Sequence, residues 1–253
     1  MRGDNNKTKG HRGKETVMSA DRVVLITGAT GAVGQVICKV VGEAGYRLAL
    51  TGRNRESLER LAGTVTLSEE RFAIHPADLL NEKEVKELVD NVIGRMGSID
   101  ILVNIAGGWM GGKKVSDMSQ QEWDAAIDLN LRSAFLINRA VLPIMVQRGW
   151  GRIINFSSKA ADTPGPKQSA YNVAKAGVIA LTASIAAEYK RNGIAANVLL
   201  PSIIDTASNR AQMADADFSR WVKLQDLGKL VLFLCSEEGG SLNGASIPIY
   251  GKV

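Results

Sequence analysis

Residues 22–34 read RVVLITGATGAVG: a β-branched apolar run, glycines at 28, 31 and 34, and then the start of a helical pattern. A strand that passes through a glycine turn straight into a helix leaves the first helical N–H groups unpaired and the backbone bare. That is the context in which a pyrophosphate is cradled. Thr27, Gly28, Thr30, Gly31, Ala32, Val33 and Gly34 are therefore expected to hold the phosphates of a dinucleotide. Taken alone, the turn would serve equally well as a tight strand-to-helix link, so the rest of the chain has to decide.

Outward from this stretch, apolar runs alternate with helical patterns. YRLALT (46–51) precedes a helix over 55–63, RFAIHPA (71–77) one over 82–96, IDILVNIA (99–106) one over about 120–148, and GRIINFSS (151–158) one over about 168–191. GIAANVLL (193–200) and ASIPIY (245–250) complete the series. Such alternation predicts an α/β fold, a Rossmann-like doubly wound parallel sheet of about seven strands with helices on both faces. A chain of 253 residues suits one such domain, over 21–253. The polar, poorly periodic segment 202–221 follows the sixth strand, where loops border the ligand crevice, and is read as a substrate lid.

Composition narrows the function classes. Hydrophobic residues make up 45% and charged residues 23%, enough apolar surface for a full core. The net charge of +5 is uneven, because Arg2, Lys7, Lys9, Arg12 and Lys14 face only Asp4 and Glu15 in the first 17 residues. Residues 1–20 are expected to be a disordered basic extension outside the working domain. With no interleaved aromatics they do not suggest nucleic-acid binding, and with no apolar core they do not form a secretory signal. No run approaches the roughly 20 uninterrupted apolar residues of a membrane span. The cytoplasm is the expected compartment. Cys38 and Cys235 read as inert core thiols, and His11 and His75 are too isolated for a metal site, so none is expected.

The second strand ends Leu50, Thr51, Gly52, Arg53, Asn54, with no carboxylate to bond a ribose 2′-hydroxyl and a guanidinium in reach of a 2′-phosphate. NADP(H) is the preferred cofactor, with NAD(H) possible. Asp78, beside Leu79, ends the third strand, where it can accept from an adenine amino group or cap the following helix. Asn104, Ala106 and Gly107 end the fourth, small enough for close approach to the adenosine ribose.

YNVAK (171–175) sets Tyr171 and Lys175 on one helix face, so that an ammonium can favour the ionised phenol. Ser158 closes the fifth strand 13 residues upstream of the tyrosine. Reduction of a carbonyl needs a proton donor at the oxygen and hydrogen bonds to the developing alkoxide, which Tyr171, Ser158 and Lys175 can supply. Asn130, polar on an apolar helix face, can hold a water leading to Lys175 or bond a backbone carbonyl. Trp109, Met110, Phe218 and Trp221 are candidates to line an apolar substrate pocket or to pack the lid, and Asp205, Asn209 and Arg210 to give it polarity.

With this set in view, residues 22–253 resemble the short-chain dehydrogenase/reductase family, most closely its 3-oxoacyl-type reductases. The resemblance implies an NAD(P)-dependent oxidoreductase acting on a small-molecule carbonyl, usually a tetramer or dimer. It adds Pro201, Ile203 and Thr206 to the cofactor contacts, with Thr206 toward the nicotinamide carboxamide. Three departures stand out: Ala32 where glycine is usual, Pro201-Ser202 for the usual Pro-Gly, and the ending IPIYGKV. Residues 106–112 and 200–221 are locally similar to dihydropteridine reductases, which makes a quinonoid pterin the alternative substrate. A non-catalytic dinucleotide sensor is the alternative outside enzymes.

Overall fold

The computed structural model describes residues 21–65, 67, 68 and 70–253; the expected extension over 1–20 lies outside them. Seven strands form one parallel sheet: β1 (Val23–Thr27), β2 (Arg47–Gly52), β3 (Phe72–Pro76), β4 (Ile101–Asn104), β5 (Gly151–Phe156), β6 (Ile194–Pro201) and β7 (Ser246–Ile249). Their order is β3-β2-β1-β4-β5-β6-β7. The chain thus winds outward from β1 to one edge, returns, and winds to the other, which puts the reversal between β1 and β4. Ligands of open α/β sheets sit beyond the strand ends at that reversal.

Alternate residues of each strand feed two cores. Val24, Ile26, Leu48, Leu50, Val103 and Ile154 meet α1 (Ala32–Glu43), α2 (Arg55–Ala62) and, later in the chain, the helix Leu224–Cys235. Val23, Leu25, Ala49, Leu102 and Ile153 meet α3 (Glu82–Met96) and two longer helices that follow β4 and β5. Burial on both faces is why the central strands read as nearly continuous apolar runs.

The helix expected over 120–148 is present but interrupted. It starts as α4 (Gln120–Ile127), passes through a π-turn over Asp128–Arg132, and resumes as α5 (Ser133–Arg148). After β5 come the single turn α6 (Lys159–Asp162) and the long α7 (Ser169–Tyr189). The segment over 202–221 has structure of its own, α8 (Ala207–Gln212) and a 3-10 turn at Phe218–Arg220, before α9 (Leu224–Cys235). By length and composition Gln120–Arg148 and Ser169–Asn192 would suit a membrane. In the fold they are core helices, with 50% and 44% of their most apolar windows buried. Cys38 and Cys235 are buried thiols whose pKa values burial pushes up to about 12, as expected of inert core cysteines.

Candidate active site

A crevice of about 1280 Å³ runs along the carboxyl ends of the strands across the β1/β4 reversal. Of the residues singled out from sequence, it brings together Gly28, Thr30, Gly31, Ala32, Val33, Gly34, Arg53, Asp78, Leu79, Ala106, Gly107, Ser158, Tyr171, Lys175, Pro201, Ile203 and Thr206. Thr27, Asn104 and Asn130 stand behind its wall, at most 2% exposed.

The glycine turn is tight for reasons of backbone approach. Gly28 has φ +63°, and a Cβ on Gly34 would lie 2.6 Å from the Ala29 carbonyl oxygen and 2.7 Å from Ala29 Cα. Helix α1 begins after Gly31 with no side-chain cap and no acidic residue in its first turn. Its N-terminus therefore opens on the crevice with donors that no side chain among the described residues satisfies, and the dipole there favours an anion. The Thr51 hydroxyl, on the same wall, is buried without a partner among the described residues. These features fit a dinucleotide with its pyrophosphate at α1.

Thr27 holds the turn to the neighbouring loop. Its Oγ1 donates to Asn104 Oδ1 at 2.7 Å and accepts from the backbone N–H groups of Ile105 and Ala106, both at 3.1 Å. Asn104 Nδ2 donates to Asn155 Oδ1, which also accepts from Asn138 Nδ2, and Asn155 Nδ2 donates to Thr182 Oγ1. A buried polar chain thus runs beneath the crevice from β1 to α7. At the β2 end, Arg53 is exposed on the wall and forms no ion pair among the described residues. Asp78 is not the cap of α3. Asn81 is, accepting from the N–H groups of Lys83 and Glu84, while Asp78 Oδ1 accepts from Leu80 N at 3.0 Å in a local turn at the crevice.

At the other end Ser158 and Tyr171 both line the crevice, and Ser158 Oγ accepts from Ala160 N at 3.2 Å. Lys175 is 5% exposed and donates through Nζ to the Phe156 carbonyl at 3.0 Å. Its ammonium lies 5.8 Å from the Tyr171 ring centroid. Burial pushes Lys175 down to about 8. Burial also raises the Tyr171 phenol, against the smaller opposing effect of the nearby Ser158 hydroxyl. The expected depression of Tyr171 is thus corrected: taking the phenol out of water sets the direction of its shift, and that direction is upward. The result is a phenol that keeps its proton at neutral pH and can donate it.

Asn130 takes the backbone-bonded alternative. Its Oδ1 accepts from Gly108 N at 3.0 Å and its Nδ2 donates to Gly108 O and Ala126 O, each at 3.1 Å. The π-turn places this amide so that it fixes the chain at 107–108 beside Lys175: a Cβ on Gly107 would meet Asn130 Oδ1 at 2.7 Å and Lys175 Nζ at 3.2 Å.

Of the four apolar candidates, Trp109 lines the crevice and Met110 a smaller pocket beside it. Phe218 and Trp221 line neither; their rings pack together at 4.8 Å, with the Arg210 guanidinium over Phe218. Asp205 and Arg210 form a paired ion bridge rather than offering charge to a ligand. Thr206 caps α8 by accepting from Asn209 N. Residues missed from sequence include Gln168, Gln212 and Met213 on the crevice wall. Gln168, three residues before Tyr171, carried the one available signal.

Comparison with known proteins gives a consistent neighbourhood. The short chain dehydrogenase family model matches residues 22–217. The D-beta-hydroxybutyrate dehydrogenase of Rhizobium meliloti (strain 1021) is 29% identical over 255 residues, covering 91% of this chain and 97% of that one. Among solved structures, a levodione reductase superposes with a TM-score of 0.84 at 30% identity, covering 91% of this chain and 96% of its own. An actinorhodin polyketide ketoreductase with NADPH does so with a TM-score of 0.85 at 25% identity, covering 92% and 97%.

Proposed function

The chain belongs to the short-chain dehydrogenase family, and on that premise we propose that it reduces a ketone or 3-oxoacyl-type carbonyl to a secondary alcohol with NADPH. The observation that carries the reading is that Ser158, Tyr171 and the buried Lys175 come together on one crevice wall. The names of the relatives, a hydroxybutyrate dehydrogenase, a levodione reductase and a polyketide ketoreductase, support interconversion of a carbonyl and an alcohol.

The bound nicotinamide supplies the hydride. The open N-terminus of α1 and the bare glycine turn hold the pyrophosphate, and Arg53 pairs with the 2′-phosphate. The Ser158 hydroxyl orients the substrate oxygen beside the phenol, and Tyr171 gives that oxygen its proton as charge develops. Lys175, charged below about pH 8, keeps a positive field behind the phenol that favours loss of its proton. An assembly of two or four copies through α4, α5 and α7, whose exposed Trp123, Phe135 and Val173 are apolar, belongs to the same proposal, as does a cytoplasmic setting.

NADPH oxidation by the purified protein with an acetoacetyl thioester tests the reading. Tyr171→Phe is expected to lower kcat at least about a hundredfold while leaving NADPH affinity within twofold. An unchanged rate would remove Tyr171 as the donor. Ser158→Ala separates a ketone substrate from a quinonoid pterin, because only the ketone depends on the serine at its oxygen. Binding of NADPH with no turnover on any carbonyl or pterin would return the sensor alternative.

A further inference from the structure

Trp109 lines two cavities, one of them the crevice that holds Tyr171. The other is a separate pocket of about 260 Å³, walled by Met110, Met118, Ala126 and Ala170. Lys113 and Glu122, which also line that pocket, form an ion pair at 2.6 Å. The tryptophan is 63% exposed, yet it is held at two points. Its Nε1 donates to Gln168 Oε1 at 2.9 Å, across the gap between the loop after β4 and the loop before α7. A Cβ on Gly111 would lie 2.8 Å from Trp109 Cζ2 and 3.1 Å from Gln168 Cβ, so only glycine lets the ring and the glutamine close on that turn. The two loops are tied again by the backbone, Gly112 N donating to Lys167 O at 2.7 Å. A large apolar side chain left mostly in water, but locked by a hydrogen bond and a glycine contact, is being held in place by its neighbours rather than buried for stability.

We infer that Trp109, fastened by Gln168, is the specificity-determining partition that limits the length of the substrate's acyl substituent. The inference rests on the carbonyl-reductase reading, because it assigns the crevice side of the ring to the substrate. With the indole in place, a compact substituent packs on its face. A long chain meets the ring before it reaches the side pocket, whose two methionines are flexible enough to admit one. Gln168 acts here as a positioning residue through Trp109, and it sits in the turn that leads to Tyr171.

The test compares a short (3-oxobutanoyl) and a long (3-oxododecanoyl) pantetheine thioester in the wild type, Trp109→Ala and Gln168→Leu, the last removing the bond while keeping side-chain bulk. Trp109→Ala is expected to raise the long-to-short ratio of kcat/KM at least tenfold, through KM. Gln168→Leu should move it the same way by at least threefold. A ratio unchanged in both variants overturns the partition. Calorimetric titration of NADPH-loaded Tyr171→Phe protein, with and without Trp109→Ala, reads the same wall without turnover. A long-chain Kd at least tenfold lower on removing the indole supports the partition even where no carbonyl is turned over and the reductase reading falls. An unchanged Kd, or no measurable long-chain binding in either protein, overturns it while leaving that reading to its own test.

Discussion

Lys175 donates its Nζ proton to the Phe156 carbonyl at 3.0 Å and stands 5.8 Å from the ring of Tyr171, so the cation lies behind the phenol and not on it. Burial lowers the lysine to about 8 while raising the tyrosine. The sign follows directly. The ammonium is charged below about pH 8 and neutral above, so reduction should decline as pH rises through that value. In a kcat/KM profile between pH 6 and 10, the wild type should show this limb and Lys175→Met should lose it at a lower overall rate. A limb that persists unchanged in the variant would belong to another group.

The same shift predicts a stability trend. A lysine titrating near 8 in the folded protein and at its ordinary 10.5 when unfolded binds fewer protons folded than unfolded between those values. Folding stability should therefore rise across pH 8 to 10 through this group. Urea midpoints taken at pH 7.5 and 9.5 should show a smaller upward change in Lys175→Met than in the wild type. Equal changes would mean that the lysine is not desolvated in the folded chain.

Thr27 is the hub beneath the crevice, joining β1 to Asn104 and to two backbone N–H groups. Thr27→Val preserves shape but takes the partner from the buried Asn104 Oδ1 and from two half-buried N–H groups. Each such loss costs about 1–3 kcal/mol where the group stays unsatisfied, so the variant should lose at least about 2 kcal/mol in denaturant unfolding and weaken dinucleotide binding. A stability equal to the wild type would mean that water replaces the hydroxyl.

Arg53 stands exposed on the crevice wall without an ionic partner among the described residues. A guanidinium–phosphate pair contributes roughly 1.5–3 kcal/mol, so Arg53→Ala should raise the KM for NADPH about tenfold or more and leave that for NADH within twofold. Equal loss for both cofactors would make the arginine a part of the fold, and no loss would make it a solvated surface charge.

The architecture was legible because a sheet covered on both faces writes each strand as an apolar run and each crossover helix as a periodic one. All seven expected strands are present, with ends displaced by one or two residues. The π-turn was not legible, since DLNLR has the same polarity pattern whether wound with 3.6 or more residues per turn. Tyr171, Ser158 and Lys175 could be brought together from spacing, yet the direction of the tyrosine's shift could not. That depends on how much water the folded crevice removes, which no interval between residues records. Gln168 escaped for a related reason: its partner Trp109 lies 59 positions away on another loop. Phe218 and Trp221 stay open in the sequence between lining a pocket and packing the lid, because aromatic residues in a lid read alike whether they face a ligand or each other.

Asp205 closes the lid at its root. It accepts from Arg210 through Nε at 2.6 Å and through an Nη nitrogen at 2.9 Å, and from Lys223 Nζ at 2.9 Å, while its own N–H donates to the Val222 carbonyl. Arg210 is on α8, whose Asn209, Gln212 and Met213 face the crevice, and Lys223 lies at the start of α9. The carboxylate therefore bonds α8 to the start of α9. The Arg210 and Lys223 bonds hold it well below the ordinary carboxylate range. A depressed acid keeps its contribution above its unfolded pKa of about 4 and loses it only as pH falls further, so the latch should be insensitive to pH between 6 and 8. Salt is the better probe, because Arg210 and Lys223 are about half exposed and screening reaches exposed charges. Asp205→Asn should raise substrate KM several-fold, speed proteolytic cleavage between residues 206 and 220, and remove the salt dependence of both, with little change in Tm. If cleavage and KM match the wild type at low salt, the backbone pairing of residues 203–205 with Val222 holds the lid without the carboxylate.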